Sequence, residues 1–180
     1  MGKKLLVVVD YQTDFVTGAL ANPAAEALEE GIAQAVRRHL EADGAVLFTK
    51  DTHPAEYLET REGKFLPVPH CLKGTDGWRL FGSLSEYEEG VRDRVAVVEK
   101  PTFGSAALPG AVLTLCGGEP ESIEICGVVT DICVISNAVL LHSCFLNAPV
   151  TVHGSLCAAM TPENHQRALD VLAGMGYGIA

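Results

Sequence analysis

The sequence predicts an α/β protein, a single domain in which helices cover both faces of an open, mainly parallel sheet in a Rossmann-like three-layer arrangement. Strand and helix patterns alternate along the chain, with no repeat or low-complexity linker to mark a second domain. The predicted strands are dense in Val, Ile and Leu, as in strands that are buried on both faces. The 180 residues, 48% of them hydrophobic, suit one domain with a sizeable core.

The elements follow from hydrophobic periodicity and from helix start and stop signals. Strands are predicted at residues 4–9, 45–50, 94–99, 122–127, 149–153 and 176–180. Helices are predicted at about residues 24–42, 130–146 and 162–174. Gly44 and Gly174 are candidate helix stops, and Thr161-Pro162 is a candidate start. Residues 51–80 have little periodicity, and a loop of this length in a compact domain is more often functional than idle.

Charge and cysteine usage exclude several classes of function. The chain has 23 acidic and 13 basic residues and a formal net charge of −10, without the basic run that a nucleic-acid partner requires. The first residues resemble neither a signal peptide nor a membrane span. None of the six cysteines forms a CxxC pair, and most lie in apolar surroundings. We therefore expect a cytoplasmic protein with reduced thiols, disulfides being the alternative.

Four reactive side chains lie at the C-terminal ends of four predicted strands: Asp10, Asp51, Lys100 and Cys133. In an open parallel sheet these ends form the ligand crevice, so residues distant in sequence meet there. Asp10 offers a general base, Lys100 a charge stabiliser and Cys133 a nucleophile, which together suit acyl transfer. Taken singly, each residue has a plainer interpretation, because strand termini and lysines are usually solvated.

Cys133 is expected to be acidic, because it lies in the first turn of a helix that Thr130 or Asp131 would cap. Lowering a thiol pKa from about 8.5 to about 6.5 requires about 2.7 kcal/mol. The helix dipole supplies about 0.3–1 kcal/mol, so a second cation is needed, and Lys100 is the candidate. The alternative is that Cys133 is a buried structural cysteine, as we expect for Cys144.

A second cluster of candidate ligands follows the strand at residues 45–50. Asp51 and His53 are two residues apart, which places both side chains on one side of an extended chain, and His70 follows beyond a Pro-rich turn. Glu62 lies between the two histidines. Such a set suits Zn²⁺, Mn²⁺ or Fe²⁺ with room for a further ligand, although its irregular spacing is a weaker signal than a CxxC pair.

Five segments of the chain resemble the isochorismatase-like cysteine hydrolases, and especially the nicotinamidases: VVVDYQTDF, KDTHP, PHCLKGTDGW, EKPTFGS and CGVVTDICV. The resemblance covers nearly the whole chain and implies an isochorismatase-like fold. It implies a catalytic triad of Asp10, Lys100 and Cys133. The presence of Cys133 separates the chain from the isochorismate-cleaving branch, whose members lack the nucleophilic thiol.

The resemblance also implies a metal site and an oxyanion hole. Asp51, His53 and His70 match the metal ligands, and Glu62 matches an additional ligand that some members have. A cis peptide bond before Val129 would aim the N–H groups of Val129 and Cys133 at the developing oxyanion. The implied reaction is hydrolysis of nicotinamide to nicotinate and ammonia, a step of NAD salvage. The metal, with zinc as first choice, would hold the pyridine nitrogen as a template.

The substrate contacts depart from the nicotinamidase pattern. Many members have a ring-stacking aromatic three residues before the histidine of the PHC segment, where this chain has Pro67. Phe65 is the nearest replacement, and Phe15 and Phe103 are the other candidate ring contacts. The motif Asp-Thr-His also stands where Asp-Trp-His is common. Hydrolysis of another small amide by the same triad is therefore an alternative.

Two non-enzymatic functions are alternatives to this hydrolysis. Aspartates at strand ends with Lys100 also suit a phospho-acceptor receiver, but a receiver explains neither His53, His70 nor Cys133. A catalytically inactive scaffold with the same fold is the other alternative. The helix at residues 130–146 is apolar nearly all round, which predicts burial by the sheet on one side and a homo-oligomer contact on the other.

Overall fold

The computed structural model describes residues 2–88 and 92–180 and contains one six-stranded parallel sheet with the order β3-β2-β1-β4-β5-β6. All five pairs of neighbouring strands are parallel, which confirms the predicted fold class. The strands are β1 (Lys4–Val9), β2 (Ala45–Asp51), β3 (Val95–Lys100), β4 (Ser122–Val128), β5 (Val150–Ala158) and β6 (Gly178–Ile179).

Seven α-helical segments are described between and after the strands. They are α1 (Thr13–Val16), α2 (Pro23–Glu26), α3 (Glu29–Glu41), α4 (Arg61–Phe65), α5 (Leu108–Cys116), α6 (Ile135–Cys144) and α7 (Pro162–Gly174). A π-helical turn, Thr130–Val134, precedes α6. Three 3₁₀ segments lie between β2 and β3, at Tyr57–Glu59, Asp76–Trp78 and Gly82–Glu88. Among the described residues, no helix is long and apolar enough to cross a membrane.

Burial explains why the central strands read as continuous apolar runs. All seven residues of β2 and five of the six residues of β1 are buried. Parallel strands covered on both faces have this pattern, because their side chains meet helices above and below the sheet. The edge strand β3 is only half-buried, and Val97 is 37% exposed. The central strands therefore form the core, and their carboxyl ends carry the site.

The helices agree with the expectations in part. The helix predicted at residues 24–42 is divided into α2 and α3 by a tighter turn, in which Leu28 N–H donates to the Ala25 carbonyl. Helix α5 was not predicted, although Pro109 in its first turn and the left-handed Gly117 after its end are standard signals. The start at Thr161-Pro162 is confirmed, since the Thr161 hydroxyl accepts from Asn164 N–H. Gly174 is the last helical residue, and Gly176 takes the positive φ.

Candidate active site

Asp10, Lys100 and Cys133 meet at the carboxyl edge of the sheet, after β1, at the end of β3 and after β4. Lys100 Nζ lies 2.6 Å from Asp10 Oδ2 and 3.6 Å from Cys133 Sγ. Asp10 and Lys100 are fully buried, and Cys133 is 4% exposed. Charges that are buried away from water interact strongly, so the protonation states of these three groups depend on one another.

Neighbouring strands hold the two charged residues in place. Asp10 has a φ of +45° directly after β1, and its Oδ1 accepts from Thr49 Oγ1 at 2.6 Å. Lys100, the last residue of β3, also donates to the Thr102 carbonyl at 3.1 Å and to Asp51 Oδ1 at 3.0 Å. The acceptors around Lys100 therefore keep its ammonium group beside the thiol.

The expectation that the resting Cys133 thiol is acidic is wrong. Burial raises the pKa of Cys133 well above its usual value, Lys100 lowers it, and Asp10 and Asp51 add to the rise. Burial also raises the pKa of Asp10, against the opposing effect of Lys100. The resting site thus pairs a protonated thiol with a carboxylate that is more basic than an ordinary aspartate.

The prediction that Thr130 or Asp131 caps the helix carrying Cys133 is also wrong. The N-cap residue is Val129, and no side chain caps this end. Thr130 Oγ1 lies 2.8 Å from His165 Nδ1, and Asp131 Oδ1 is buried with no hydrogen-bond partner among the described residues. The Thr130 hydroxyl is thus engaged by α7 instead of by its own helix. The Val128–Val129 peptide bond is cis, as the resemblance implies.

Asp51, His53 and His70 form a buried group suited to a metal ion. Their candidate ligand atoms all lie within 4.8 Å of one another. Asp51 Oδ2 is 2.9 Å from His53 Nε2 and 3.3 Å from His70 Nε2. His70 Nδ1 donates to the Val68 carbonyl at 2.7 Å, which orients Nε2 toward the group. Two imidazoles and a carboxylate are the donor set of zinc and related divalent ions.

The charge state of Asp51 favours metal binding. Burial alone would raise its pKa, but Lys100 and the hydrogen bonds from His53 and His70 hold the pKa well below its usual range. A carboxylate that stays ionised at all ordinary pH values is ready to ligate a cation.

Glu62 lies beside this group without belonging to it. It sits on α4, and its Oε1 atom is buried with no hydrogen-bond partner among the described residues. Burial and the charge of Asp51 raise the pKa of Glu62. A buried oxygen without a partner fits an additional ligand that completes its bonds when a metal is bound.

A small apolar pocket of about 110 Å³ opens onto the thiol. Asp51, His70 and Cys133 contribute the reactive side of its wall. The remaining wall is hydrophobic and consists of Phe15, Leu20, Leu66, Phe103, Val129, Ile132 and Met160. The Phe15 ring centroid lies 5.4 Å from that of His70 in an edge-on arrangement. Phe15 and Phe103 therefore lie where ring contacts were predicted.

Phe65 lies outside this pocket, which corrects its prediction as a ring contact. Its side chain is 75% exposed and lines an outer groove of about 360 Å³ with Arg61, Glu62 and Phe103. Phe65 is the last residue of α4, and the next residue, Leu66, lines the pocket instead. An aliphatic side chain thus stands near the place where an aromatic was expected.

Two buried amides that the sequence analysis did not single out support the site. Gln12 Nε2 donates to the Asp51 carbonyl at 2.9 Å and to the Trp78 carbonyl at 2.8 Å, and its Oε1 accepts from Asp51 N–H at 2.7 Å. Asn137 is also fully buried, one helical turn after Cys133. A signal for Asn137 existed, because an amide in the apolar helix at residues 130–146 needs buried partners.

Known proteins are similar to this chain over nearly its whole length. The model of a family described as the isochorismatase domain matches residues 4–179. A protein of Bacillus subtilis (strain 168), described as the uncharacterized isochorismatase family protein PncA, is 29% identical over 176 residues, which are 95% of this chain and 94% of that protein.

Solved structures agree over almost the full length. The pyrazinamidase/nicotinamidase of Streptococcus mutans UA159 is 30% identical with a TM-score of 0.86, covering 98% of this chain and 99% of its own. The nicotinamidase PncA of Bacillus subtilis is 28% identical with a TM-score of 0.82, covering 99% of both chains. The pyrazinamidase of Pyrococcus horikoshii in complex with zinc, at 24% identity and a TM-score of 0.81 over 99% of this chain and 98% of its own, shares the fold.

Proposed function

The chain belongs to the isochorismatase family as a hydrolase of carbon–nitrogen bonds, and we propose that its reaction is the hydrolysis of nicotinamide to nicotinate and ammonia. The observation that carries this proposal is the position of Cys133 Sγ. It lies 3.6 Å from Lys100 Nζ at the wall of an apolar pocket that the Asp51 and His70 side chains also line. A flat, neutral ring carrying a carboxamide matches such a pocket, because its ring buries apolar surface while its amide meets the polar wall.

The triad supplies the covalent chemistry. Asp10 takes the thiol proton as Cys133 Sγ attacks the amide carbon, and Lys100 stabilises the charge that develops. The N–H groups of Val129 and Cys133 receive the oxyanion. Asp10 then returns the proton to the amide nitrogen. Ammonia departs, and the acyl group remains on Cys133 as a thioester. Water cleaves the thioester, and Cys133 recovers its proton.

The metal group would fix the ring. Asp51, His53 and His70 would hold a divalent metal, with Glu62 as an additional ligand, and the bound ion would supply a Lewis acid for a ring nitrogen. We propose zinc, with manganese and iron as alternatives for the same donor set. The zinc complex of the Pyrococcus horikoshii pyrazinamidase supports this choice.

A second candidate, another small amide, is favoured by the aliphatic wall. Leu66 lines the pocket, Pro67 replaces the aromatic of many nicotinamidases, and Phe65 faces away. Loss of one stacking face costs about 1–3 kcal/mol in comparable base-stacking sites, or roughly 5- to 150-fold in affinity. The receiver-like alternative has no support, because histidines occupy its acidic pocket and the family is hydrolytic.

The deciding experiment compares kcat/KM for nicotinamide, pyrazinamide and a non-aromatic amide of similar size by ammonia release, with and without a chelator. We expect nicotinamide and pyrazinamide to be preferred and the chelator to lower turnover. A clear preference for the non-aromatic amide would move the chain to the second candidate.

The remaining proposals concern the setting of the enzyme. We propose one catalytic domain over residues 1–180, a cytoplasmic place in NAD salvage, and a homo-oligomer without nucleic-acid or membrane partners. Helix α6 packs against α5 and β5, and its residues Val139 and Leu140 stay half-buried. Light scattering on the purified protein tests the oligomer, and a monomer at working concentrations would exclude it.

A further inference from the structure

The side chain of Asn137 connects α6 and the preceding turn, which carries Cys133, to the loop that follows β3. Its Oδ1 accepts from Ser105 N–H at 2.9 Å. Its Nδ2 donates to the Phe103 carbonyl at 3.1 Å and to the Cys133 carbonyl at 2.8 Å. Asn137 is fully buried and Ser105 is 3% exposed, so these bonds cannot be exchanged for bonds to water without opening the structure.

The loop that Asn137 holds carries one wall of the thiol pocket. Phe103 lines both this pocket and the outer groove. Thr102, one residue earlier, provides a carbonyl acceptor for Lys100. The loop lies close against α6, since a Cβ atom on Gly104 would come within 2.9 Å of Leu140 Cδ1 and 3.3 Å of Ser136 Cβ.

We propose that Asn137 is a positioning residue for ring selectivity, because it fixes the Phe103 wall at a set distance from the Cys133 sulfur. Because one amide group donates hydrogen bonds to both the Phe103 carbonyl and the Cys133 carbonyl, these two backbone segments move together. In a pocket of about 110 Å³, a small shift of this wall changes the fit of a six-membered ring far more than that of a small acyclic group. The inference rests on the proposed use of Phe103 as a ring contact.

Alkylation of Cys133 tests the proposal independently of turnover. The probes are 3-(bromomethyl)pyridine, whose reacting carbon is attached directly to a ring, and iodoacetamide, which has no ring. Their rates at Cys133 are read by peptide mass spectrometry in a Cys144→Ala background, because Cys144 is exposed and not buried as expected. The ratio of the two rates cancels any change in the reactivity of the sulfur itself.

In Asn137→Leu, which keeps the branched four-atom shape of the side chain and removes all three hydrogen bonds, we expect this ratio to fall about tenfold, as for the loss of one or two ordering hydrogen bonds. The kcat/KM for nicotinamide should fall by a similar factor relative to a small acyclic amide, mainly through KM. Phe103→Ala should lower the ratio by itself. Adding Asn137→Leu to it should then have less than about a twofold further effect.

Equal slowing of both probes in Asn137→Leu, or independent effects in the double variant, would overturn the proposal. Asn147→Leu is the matched control, because Asn147 is exposed. If Asn137→Leu does not fold, Gly104→Val displaces the same loop from α6 and must produce the same selective loss. Wild-type protein that does not hydrolyse nicotinamide would overturn the proposed function, while the alkylation ratio would still decide the role of Asn137.

Discussion

Lys100 and Asp51 form a buried ion pair with a distance of 3.0 Å between Nζ and Oδ1, and this contact joins the thiol to the candidate metal-binding group of Asp51, His53 and His70. The other oxygen of Asp51 faces His53 and His70, while Lys100 also contacts Asp10. Each half of the site is therefore electrostatically incomplete without the other. This arrangement has consequences for activity, stability and metal binding that can be measured separately.

The first prediction concerns the nucleophile. Cys133→Ala should lower amide hydrolysis by about 10⁴-fold or more, because loss of a covalent nucleophile removes the whole pathway. Circular dichroism and thermal unfolding should show an intact fold. Cys144→Ala, at an exposed position, is the matched control and should keep nearly full turnover. Substantial activity in Cys133→Ala would falsify the triad.

The second prediction concerns the pH dependence of the thiol. Because burial raises the pKa of Cys133, the thiolate is scarce at neutral pH and becomes more abundant only as the pH rises through that raised value. The iodoacetamide rate at Cys133 in metal-free protein should therefore still increase above pH 9. A rate that levels off near pH 7 would show that the resting thiol is acidic and needs no proton transfer to Asp10.

The third prediction concerns metal content. His53→Ala removes one of three candidate ligands, so the metal affinity should fall by at least the roughly 10- to 100-fold that outer-shell changes cause. Elemental analysis after identical preparation should find about one equivalent in the wild type and little in the variant. His142→Ala, on the exposed side of α6, should retain the metal. The absence of stoichiometric metal from wild-type protein prepared without chelator would contradict the assignment.

The fourth prediction concerns stability. Lys100→Met leaves the buried carboxylates of Asp10 and Asp51 without their cation, which should cost about 3–5 kcal/mol of unfolding free energy. Adding Asp10→Asn should restore part of this loss by removing one of the unpaired charges. Lys73→Met breaks an exposed pair with Glu99 and should cost less than about 1 kcal/mol. Urea unfolding measures all three variants. Equal losses in Lys100→Met and Lys73→Met would show that the buried pair has no special weight.

The fifth prediction concerns Gln12. Gln12→Leu leaves the N–H and carbonyl of Asp51 without their side-chain partner, so metal affinity should fall by about 10- to 100-fold. Each buried group left unsatisfied should also cost about 1–3 kcal/mol of stability. Gln34→Leu on the exposed face of α3 is the control. Unchanged metal affinity in folded Gln12→Leu would mean that Asp51 keeps its position without the amide.

The parts of the site that lie at strand ends were predictable from sequence, because apolar runs mark the strands and the next polar residues mark the crevice. Asp10, Asp51 and Lys100 follow this rule. The direction of Phe65 was not predictable, since it depends on how the short helix α4 docks. The thiol pKa was predicted in the wrong direction because the helix dipole is a local property, whereas burial and the two neighbouring carboxylates are tertiary properties.

The sheet order also determines when the enzyme acquires its chemistry during synthesis. Strand β1 lies between β2 and β4, so the first strand made waits for the fourth before both of its edges are paired. Asp10, Asp51 and Lys100 emerge from the ribosome well before the turn that carries Cys133. A nascent chain therefore completes its charged groups first and receives the Cys133 thiol last. Any chain released before that turn is complete lacks the proposed nucleophile.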